Sequence, residues 1–408
     1  MAGTPTYAIV GANLTGGAAA TTLREAGFEG RLVLIGAESH LPYERPPLSK
    51  EYLRGETPRQ DVYLQPPSWF EEQDVELRLG TRATGLDPHR RLVRLDDGDA
   101  VEYDRVLIAT GGRNRELTFP GSDLEGIHQL RTIEDADAIR EAAQRGGRVA
   151  MVGAGFIGLE VTASLWSLGR EIEVIEVFGT PLLRVLGPEI GSVFEAIHRD
   201  HGITFHLDQK VERFEGTGRV QAVHTDEGTR VECDLVVAGV GIQPNVEIVE
   251  GTEIEVDNGI LVDECCRTNV PDVFAAGDVA NHAHPVFGHR LRVEHYDNAL
   301  KMGAAAARNM MGADEPFDDP HWFWSDQYDY NLQYVGFAAR WDEIVLRGSL
   351  EERSFVAFYL KDGVVRGVAG LQRGREVRRS SGLVRAGLPV DPERLRDEDV
   401  DLRSLAAR

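Results

Sequence analysis

Residues 148–158, RVAMVGAGFIG, combine a short apolar run with three glycines at positions 153, 155 and 158. Glycines at this spacing form a tight turn between a strand and a helix, and backbone N–H groups of such a turn can approach a pyrophosphate. Residues 159–168 fit the helix, and residues 173–175 fit the next strand. The sequence therefore predicts a strand–turn–helix–strand unit that binds a dinucleotide.

An acidic residue, Glu176, follows the second strand of this unit. A carboxylate at this place accepts a hydrogen bond from a ribose 2′-hydroxyl and repels a 2′-phosphate. The pattern therefore favours NAD(H) over NADP(H).

A similar unit is predicted near the beginning of the sequence, with a strand at residues 6–10, the turn GANLTG at residues 11–16, a helix at 17–26 and a strand at 32–35. Asn13 stands where the second glycine is expected, and its side chain would crowd an approaching pyrophosphate. Glu38 follows as a second ribose-binding acid. Two such units indicate two dinucleotides, and hydride transfer from a nicotinamide to a flavin is the chemistry that most often needs two.

The predicted fold class is α/β, with two Rossmann-like dinucleotide-binding domains in a glutathione-reductase-like architecture and a C-terminal mixed α+β domain. Residues 78–96 alternate as small antiparallel strands do, and residues 273–277 are predicted to return the chain to the first sheet. We therefore expect a discontinuous FAD-binding domain, an NADH-binding domain and a C-terminal domain, which span residues 1–112 with 246–318, 113–245 and 319–408.

Composition excludes several other classes of protein. The 408 residues include 44 Lys and Arg against 67 Asp and Glu, and the net charge of −23 disfavours nucleic acid as a partner. No stretch is long and apolar enough for a membrane helix. The apolar first twenty residues lack the basic region of a signal peptide, and three cysteines cannot form a disulfide framework, so a cytoplasmic protein is expected.

Several motifs resemble the oxygenase-coupled, NADH-dependent ferredoxin reductases, the family of putidaredoxin reductase and the biphenyl dioxygenase reductase. They are YERPPLSK at 43–50, ATGG at 109–112, LRTIED at 130–135, GAGFIGLE at 153–160, AGD at 276–278 and WFWSDQY at 322–328. The resemblance runs nearly end to end. It implies a flavoprotein oxidoreductase that passes electrons from NADH through FAD to a [2Fe–2S] ferredoxin, which serves an oxygenase.

The motifs and the resemblance together assign candidate cofactor-binding residues. Those for FAD are Gly11, Asn13, Thr15, Gly16, Glu38, Arg45, Lys50, Ala83, Thr110, Gly111, Arg131, Asp278, Glu294, His295, Tyr296 and Trp324. Those for NADH are Gly153, Gly155, Phe156, Ile157, Gly158, Glu160, Glu176 and Gly241. Trp324 could equally be a core residue between domains.

Lys50 and Glu160 are the candidate catalytic residues. Lysine is rare in this chain, with four lysines among the 44 basic residues, so composition does not account for Lys50. A compact ammonium can donate to the N5 and O4 edge of a flavin, where a guanidinium is broader. We expect Glu160 to pair with Lys50 and to balance its charge, although a glutamate near a helix start can also be ordinary.

Other outcomes on the same scaffold are a rubredoxin reductase, an NADH oxidase, or a redox-responsive signalling protein like apoptosis-inducing factor. The vicinal Cys265 and Cys266 are expected to be ordinary cysteines on a strand pair approaching the surface, and no C-x₄-C follows the first unit, which disfavours dithiol reductases. His282 and His284 are expected in a polar loop, and no metal site is predicted. The arginine-rich residues 366–385 could dock an acidic ferredoxin.

Overall fold

The computed structural model describes residues 4–406, which form two compact units. The first unit contains the chain up to Glu44, Arg59–Arg113 and Ile242–His321. The second contains Arg45–Pro58, Asn114–Gly241 and the chain from Trp322 onward. The three predicted domains are thus distributed over two units, and the three-domain division stays a prediction.

A five-stranded parallel sheet forms the centre of the first unit. Four of its strands are mostly apolar and buried, as parallel strands covered by helices usually are, whereas the edge strand Val75–Leu79 also carries Glu76 and Arg78. The strand Val273–Ala275 pairs in parallel with Arg105–Ile108, so the predicted return of the chain to the first sheet is confirmed. In spatial order the strands are Val273–Ala275, Arg105–Ile108, Thr6–Val10, Arg31–Gly36 and Val75–Leu79.

Two helices, Leu14–Glu25 and Tyr296–Met310, pack closely against each other in the first unit. A Cβ on Gly303 would lie 2.5 Å from the carbonyl oxygen of Thr15, so only glycine permits this separation of the two helices. The later helix therefore fixes the first turn of the earlier one, where a candidate FAD turn begins.

Smaller elements complete the first unit. Residues 78 and 79 belong to the parallel strand Val75–Leu79 and not to the antiparallel strands predicted there. The small sheets consist of Ala83–Asp87, Leu92–Leu95 and Ala100–Glu102, and of Ile260–Val262, Ala280–His284 and His289–Leu291. Short helices span Arg59–Val62, Pro67–Glu72, Glu247–Val249 and Gly277–Val279, and the short strands Gly112–Asn114 and Ile242–Pro244 pair with each other.

The second unit contains another five-stranded parallel sheet. The central strand Arg148–Val152 leads through the glycine turn into a helix, as predicted, but this helix spans Phe156–Ser167 and begins before the predicted start at residue 159. The sheet order is Thr204–His206, Glu171–Ile175, Arg148–Val152, Leu235–Ala238 and Ile127–His128. The other elements of this part are the helices Pro46–Ser49, Glu51–Arg54, Ile133–Gln144 and Leu183–Asp200 and the antiparallel strands Val211–Thr217, Arg219–Thr225 and Arg230–Glu232.

The C-terminal part of the second unit is an antiparallel sheet covered by helices. Its inner residues Phe355, Phe358 and Tyr359 are fully buried, which gives this sheet a dense aromatic and aliphatic core. The strand order is Trp322–Gln327, Tyr330–Gly336, Val364–Leu371, Ser354–Lys361 and Glu343–Ser349, and the helices are Gly374–Ala386, Pro392–Arg396 and Arg403–Ala406. The predicted fold class is confirmed. Within residues 4–406, none of the helices has the length and apolarity to span a bilayer.

Candidate functional site

The glycine turn of the second unit is open on the side where a ligand would bind. Gly153 has a φ of +99°, and a Cβ there would lie 2.5 Å from the carbonyl oxygen of Gly239, so glycine is required for the fold. Gly155, the N-cap residue before the helix, has an ordinary φ of −77°, and a Cβ there would meet nothing within 4 Å. Within residues 4–406 no side chain caps this helix, so its N-terminal N–H groups remain available to an anion.

Glu176 lies against this turn. Its Oε2 accepts the backbone N–H of Ala154 at 2.5 Å, and its Oε1 accepts that of Phe178 at 3.0 Å. The side chain is buried at the end of the strand Glu171–Ile175. Each carboxylate oxygen keeps a second lone pair, which leaves acceptor capacity for a ribose hydroxyl.

The other candidate NADH residues of this unit lie on both sides of the turn. Phe156 packs edge-to-face against Phe323, with ring centroids 5.0 Å apart, whereas Ile157 is 49% exposed beside the turn. Gly241 has a φ of +90°, and its carbonyl oxygen accepts the N–H of Arg115 at 3.0 Å.

The turn of the first unit is closed by a side chain. The Oδ1 of Asn13 accepts the N–H groups of Thr15 at 3.2 Å and Gly16 at 3.5 Å, and its Nδ2 donates to the carbonyl oxygen of Ala109 at 2.7 Å. Asn13 is therefore the N-cap of the helix, which begins at Leu14 and not at residue 17 as predicted. A pyrophosphate at this turn would compete with Asn13 Oδ1 for the same N–H groups.

Of the remaining candidate residues near this turn, two pack closely against neighbouring segments and one lies at the end of the next strand. Gly11, with a φ of +119°, passes so close to Ala109 that a Cβ would overlap the carbonyl group. Thr15 is buried against Gly277. The hydroxyl of Tyr43 donates to Glu38 Oε2 at 2.5 Å, which fixes the carboxylate at the end of the second strand.

The later candidate FAD residues of the first unit are held by their own contacts. Thr110 Oγ1 donates to the carbonyl oxygen of Asn245 at 2.7 Å, and the carbonyl oxygen of Gly111 accepts the N–H of Asn245 at 3.0 Å. The hydroxyl of Tyr296 donates to Glu44 Oε1 at 2.6 Å, and burial raises the Tyr296 pKa. Ala83 opens a strand, Asp278 lies in a short helix, Glu294 pairs with Arg292, and His295 precedes the helix Tyr296–Met310.

Four candidate FAD residues lie in the second unit. Arg45 donates through Nη1 to the carbonyl oxygen of Arg131, and the Arg131 N–H donates to Asp135 at 2.9 Å. Trp324 stacks on Trp322 with ring centroids 5.2 Å apart. The fourth residue, Lys50, is a buried charged group of this unit.

The ammonium of Lys50 lies 2.7 Å from Glu160 Oε2, and the two side chains are 9% and 3% exposed. Lys50 ends the short helix Pro46–Ser49 and begins Glu51–Arg54, and Glu160 lies in the second turn of Phe156–Ser167. Two ions so deeply buried require each other, because an unpaired buried charge is costly. The structure thus brings together the two predicted catalytic residues.

Two further residues at Glu160 were missed by the sequence analysis. Ser49 Oγ donates to Glu160 Oε2 at 2.5 Å, and Ser325 Oγ donates to Oε1 at 2.7 Å. Both serines lie inside motifs already noted, YERPPLSK and WFWSDQY. The motifs could have suggested them, but nothing in the sequence separates a serine that contacts Glu160 from its neighbours.

The cysteines and histidines that the sequence singled out lie outside this region, in buried positions. Cys265 and Cys266 are free but buried in a turn after the strand Ile260–Val262, so the expected strand pair and the expected approach to the surface were both wrong. Burial raises the pKa of both thiols. His282 and His284 lie in a buried strand, which corrects the predicted polar loop. Over the described residues no group of three ligating side chains could hold a metal ion.

The residues present fit the two predicted cofactors. The uncapped helix and the empty space at Gly155 provide a cradle for a dinucleotide pyrophosphate in the second unit. The first unit offers the same backbone turn with an acid, Glu38, at the next strand end, although Asn13 must yield its N–H groups. The buried Lys50–Glu160 pair holds its cation in a fixed place, and the contact of that cation with a flavin stays a prediction.

The comparisons with known proteins agree with this arrangement. The model of the pyridine nucleotide-disulphide oxidoreductase family matches residues 5–303, and that of the reductase C-terminal domain matches residues 322–406. The chain belongs to the pyridine nucleotide-disulphide oxidoreductase family. Its ferredoxin reductase members are especially similar. The ferredoxin reductase subunit of 5,5'-dehydrodivanillate O-demethylase from Sphingobium sp. is 39% identical over 402 residues, with 98% of each chain covered.

Other similar proteins are also ferredoxin reductases by name. The ferredoxin–NAD(+) reductase component of the anthranilate 1,2-dioxygenase system from Burkholderia cepacia is 38% identical, again over 98% of both chains. Among solved structures, the ferredoxin reductase for the CYP199A2 system from Rhodopseudomonas palustris has a TM-score of 0.95 at 37% identity, covering 99% of this chain and 100% of that one. The covalent putidaredoxin reductase–putidaredoxin complex has the same TM-score at 35% identity, covering 99% and 98%.

These findings confirm the resemblance predicted from the motifs. This pyridine nucleotide-disulphide oxidoreductase is an NADH-dependent flavoprotein of the ferredoxin reductase type, and its cofactors are FAD and NADH. The roles of individual residues toward those cofactors stay predictions.

Proposed function

We propose that the chain takes electrons from NADH and passes them through FAD, one at a time, to a [2Fe–2S] ferredoxin that serves an oxygenase. The observation that carries the proposal is the buried Lys50–Glu160 pair in a chain with two dinucleotide-binding turns. When bound, FAD accepts an electron pair from the nicotinamide and releases single electrons, which side chains cannot do. Lys50 would donate to the flavin edge, and Glu160 would hold the ammonium in place.

Glu176 would select NADH. Its carboxylate faces the turn through Ala154, where a ribose 2′-hydroxyl can donate to it and a 2′-phosphate would be repelled. The chain would thus prefer NADH over NADPH, because the Glu176 charge repels a 2′-phosphate and the same carboxylate accepts a hydrogen bond from a 2′-hydroxyl.

An arginine-lined groove is the proposed docking surface for the ferredoxin. Arg375, Arg378, Arg379 and Arg403 line a groove of about 440 Å³ in the C-terminal part of the second unit. Arg375 and Arg379 have no acidic partner among residues 4–406, so their charge is available to an acidic protein. In a chain with a net charge of −23, a local basic surface would steer an acidic ferredoxin to one place.

The cytoplasm is the proposed compartment. The three cysteines are buried free thiols, as expected of a protein kept in a reducing environment.

The test is reduction of cytochrome c by the purified FAD-loaded protein with NADH, with and without candidate [2Fe–2S] ferredoxins. We expect electron transfer that depends on ferredoxin. Rapid NADH oxidation by oxygen alone, unchanged by ferredoxin, would instead identify an NADH oxidase. Dependence on rubredoxin would identify a rubredoxin reductase, and slow reoxidation accompanied by dimerisation would identify a signalling protein.

A further inference from the structure

A line of buried polar side chains continues from Glu160 away from Lys50. Ser325 Oγ lies 2.7 Å from Glu160 Oε1, and Gln327 Nε2 lies 3.1 Å from Ser325 Oγ. Gln327 Oε1 lies 2.9 Å from His198 Nε2, and His198 Nδ1 lies 2.9 Å from the hydroxyl of Tyr328. All these residues belong to the second unit, and Ser325, Gln327 and His198 are at most 1% exposed.

The direction of every hydrogen bond in this line follows from the groups themselves. An amide oxygen only accepts, so His198 Nε2 carries a proton and donates to Gln327. Burial lowers the His198 pKa to about 4, so the ring is neutral and its Nδ1 accepts from Tyr328. Gln327 then donates through Nε2 to Ser325, whose own proton is directed at Glu160. Each donor therefore points toward the carboxylate.

The outer end of the line is held rigidly. The Tyr328 ring stacks on His201 with centroids 3.6 Å apart and meets the edge of Trp166 at 5.2 Å. Trp166 is 40% exposed, so this end reaches the surface of the second unit. The aromatic contacts fix the Tyr328 hydroxyl, which begins the series of donors.

Glu160 already accepts from Lys50 and Ser49, so the line adds a third donor to a carboxylate that cannot be solvated. Hydrogen bonds aligned in one direction polarise one another, and the polarisation is greatest where they end on a charge. The buried ion is thereby stabilised without a further charged residue.

We propose that Tyr328, His198, Gln327 and Ser325 are positioning residues, which act through Glu160 to fix its carboxylate and, with it, the Lys50 ammonium that would face the flavin. This inference rests on the proposed function of the Lys50–Glu160 pair. It assigns a role in tuning the flavin to residues up to four hydrogen bonds from Glu160.

The test is the midpoint potential of the bound flavin in the FAD-loaded protein, measured by dithionite reduction against a reference dye. Ser325→Ala removes the partial positive charge of a hydroxyl hydrogen from the carboxylate, so electrons should enter the flavin less readily. We expect the equilibrium constant for reduction of the flavin to fall about threefold, which lowers the midpoint potential of a two-electron couple by about 14 mV. Tyr328→Phe should give a smaller fall, and Ser325→Thr should restore the wild-type potential.

The decisive comparison repeats Ser325→Ala and Tyr328→Phe in a Glu160→Gln background. If the line acts through Glu160, both shifts should disappear there, whereas a general structural effect would persist. Ser380→Ala is the matched control, because Ser380 is equally buried in the second unit and bonds only the carbonyl oxygen of Glu376. Shifts of equal size in both backgrounds, no shift in Ser325→Ala, or an equal shift in Ser380→Ala would overturn the proposal.

The potential requires neither NADH nor ferredoxin. A protein that failed to reduce ferredoxin would contradict the proposed function while still giving a potential for each variant. The two conclusions can therefore fail separately.

Discussion

The Nζ atom of Lys50 lies 2.7 Å from Oε2 of Glu160, although the two residues are distant in the sequence. Both charged groups are almost inaccessible to water. The fold, and not the solvent, therefore holds them together. A side chain that depends so strongly on its partner is sensitive to any change in that partner.

The first prediction concerns this pair. Lys50→Ala and Glu160→Ala should each slow flavin reduction by NADH about tenfold or more, a loss of about 1.4 kcal/mol of transition-state stabilisation, while FAD stays bound. Stopped-flow absorbance of the flavin measures the rate, and the ratio of flavin to protein checks cofactor content. Wild-type rates in both variants would refute their role.

The two glycines of the NADH turn should respond differently to alanine. Gly155→Ala enters empty space at a permitted φ, so the melting temperature should stay near the wild-type value while the KM for NADH rises about tenfold. Gly153→Ala places a Cβ against Gly239 at a positive φ and should lower the melting temperature. Thermal unfolding and steady-state kinetics separate the two effects, and an unchanged KM in Gly155→Ala would exclude the pyrophosphate from this turn.

Glu176→Gln should narrow the preference for NADH over NADPH. The amide oxygen can still accept a backbone N–H, but the negative charge that repels a 2′-phosphate is lost, so the ratio of kcat/KM values should fall about tenfold. Glu173→Gln, on the same strand, is the control because Glu173 pairs with His206 instead. The same ratio in wild type and Glu176→Gln would count against the ribose contact.

Charge reversal in the arginine groove tests ferredoxin docking. The double variant Arg378→Glu with Arg379→Glu should raise the KM for ferredoxin about tenfold at low ionic strength but leave the KM for NADH unchanged, because the lost attraction is electrostatic. The effect should shrink above about 0.1 M salt, where the screening length is about 10 Å. Arg145→Glu with Arg199→Glu reverses two exposed arginines of the same unit outside the groove. An equal effect in that control would show dependence on net charge alone.

Buried histidines should make the protein sensitive to acid. Burial lowers the pKa values of His198, His282 and His295 from 6.5 to about 4. Between about pH 4 and pH 6.5 the unfolded chain binds protons at these histidines that the folded chain does not. The free energy of unfolding should therefore fall as the pH drops through this range, by about 1.4 kcal/mol per pH unit for each histidine.

Unfolding at several pH values measures this dependence. His282→Phe keeps a ring in the aromatic cluster with Phe317 and should flatten the slope, whereas His89→Gln, which changes a histidine that is 84% exposed, should not. Identical slopes in wild type and His282→Phe would contradict the assignment.

The sequence predicted the elements that depend on local chemistry. Both strand–turn–helix units were recognisable because glycines at the turn satisfy steric demands that other residues cannot meet, as the close approach at Gly153 illustrates. The start of the first helix was placed at residue 17 because Asn13 was interpreted only as a replacement for glycine, and its capacity to cap Leu14–Glu25 was overlooked.

Contacts between distant segments could not be predicted in the same way. The chemistry of Lys50 and Glu160 predicts that they pair, but Ser325 reaches Glu160 only because the strand Trp322–Gln327 packs on the helix Phe156–Ser167. His282 and His284 alternate with apolar residues like a strand, yet their polarity suggested a loop. Burial of polar groups depends on tertiary packing, which the local pattern does not contain.

The edge strand Val273–Ala275 sets an order on the folding of the chain during synthesis. The parallel sheet of the first unit contains Thr6–Val10, the first strand of the chain. It gains Val273–Ala275 only after more than 270 residues have left the ribosome. The second unit likewise waits for Trp322–Gln327 and the strands that follow it. Both units therefore stay incomplete through most of translation, and a chain interrupted near Gly241 would expose two unfinished cores to chaperones or proteases.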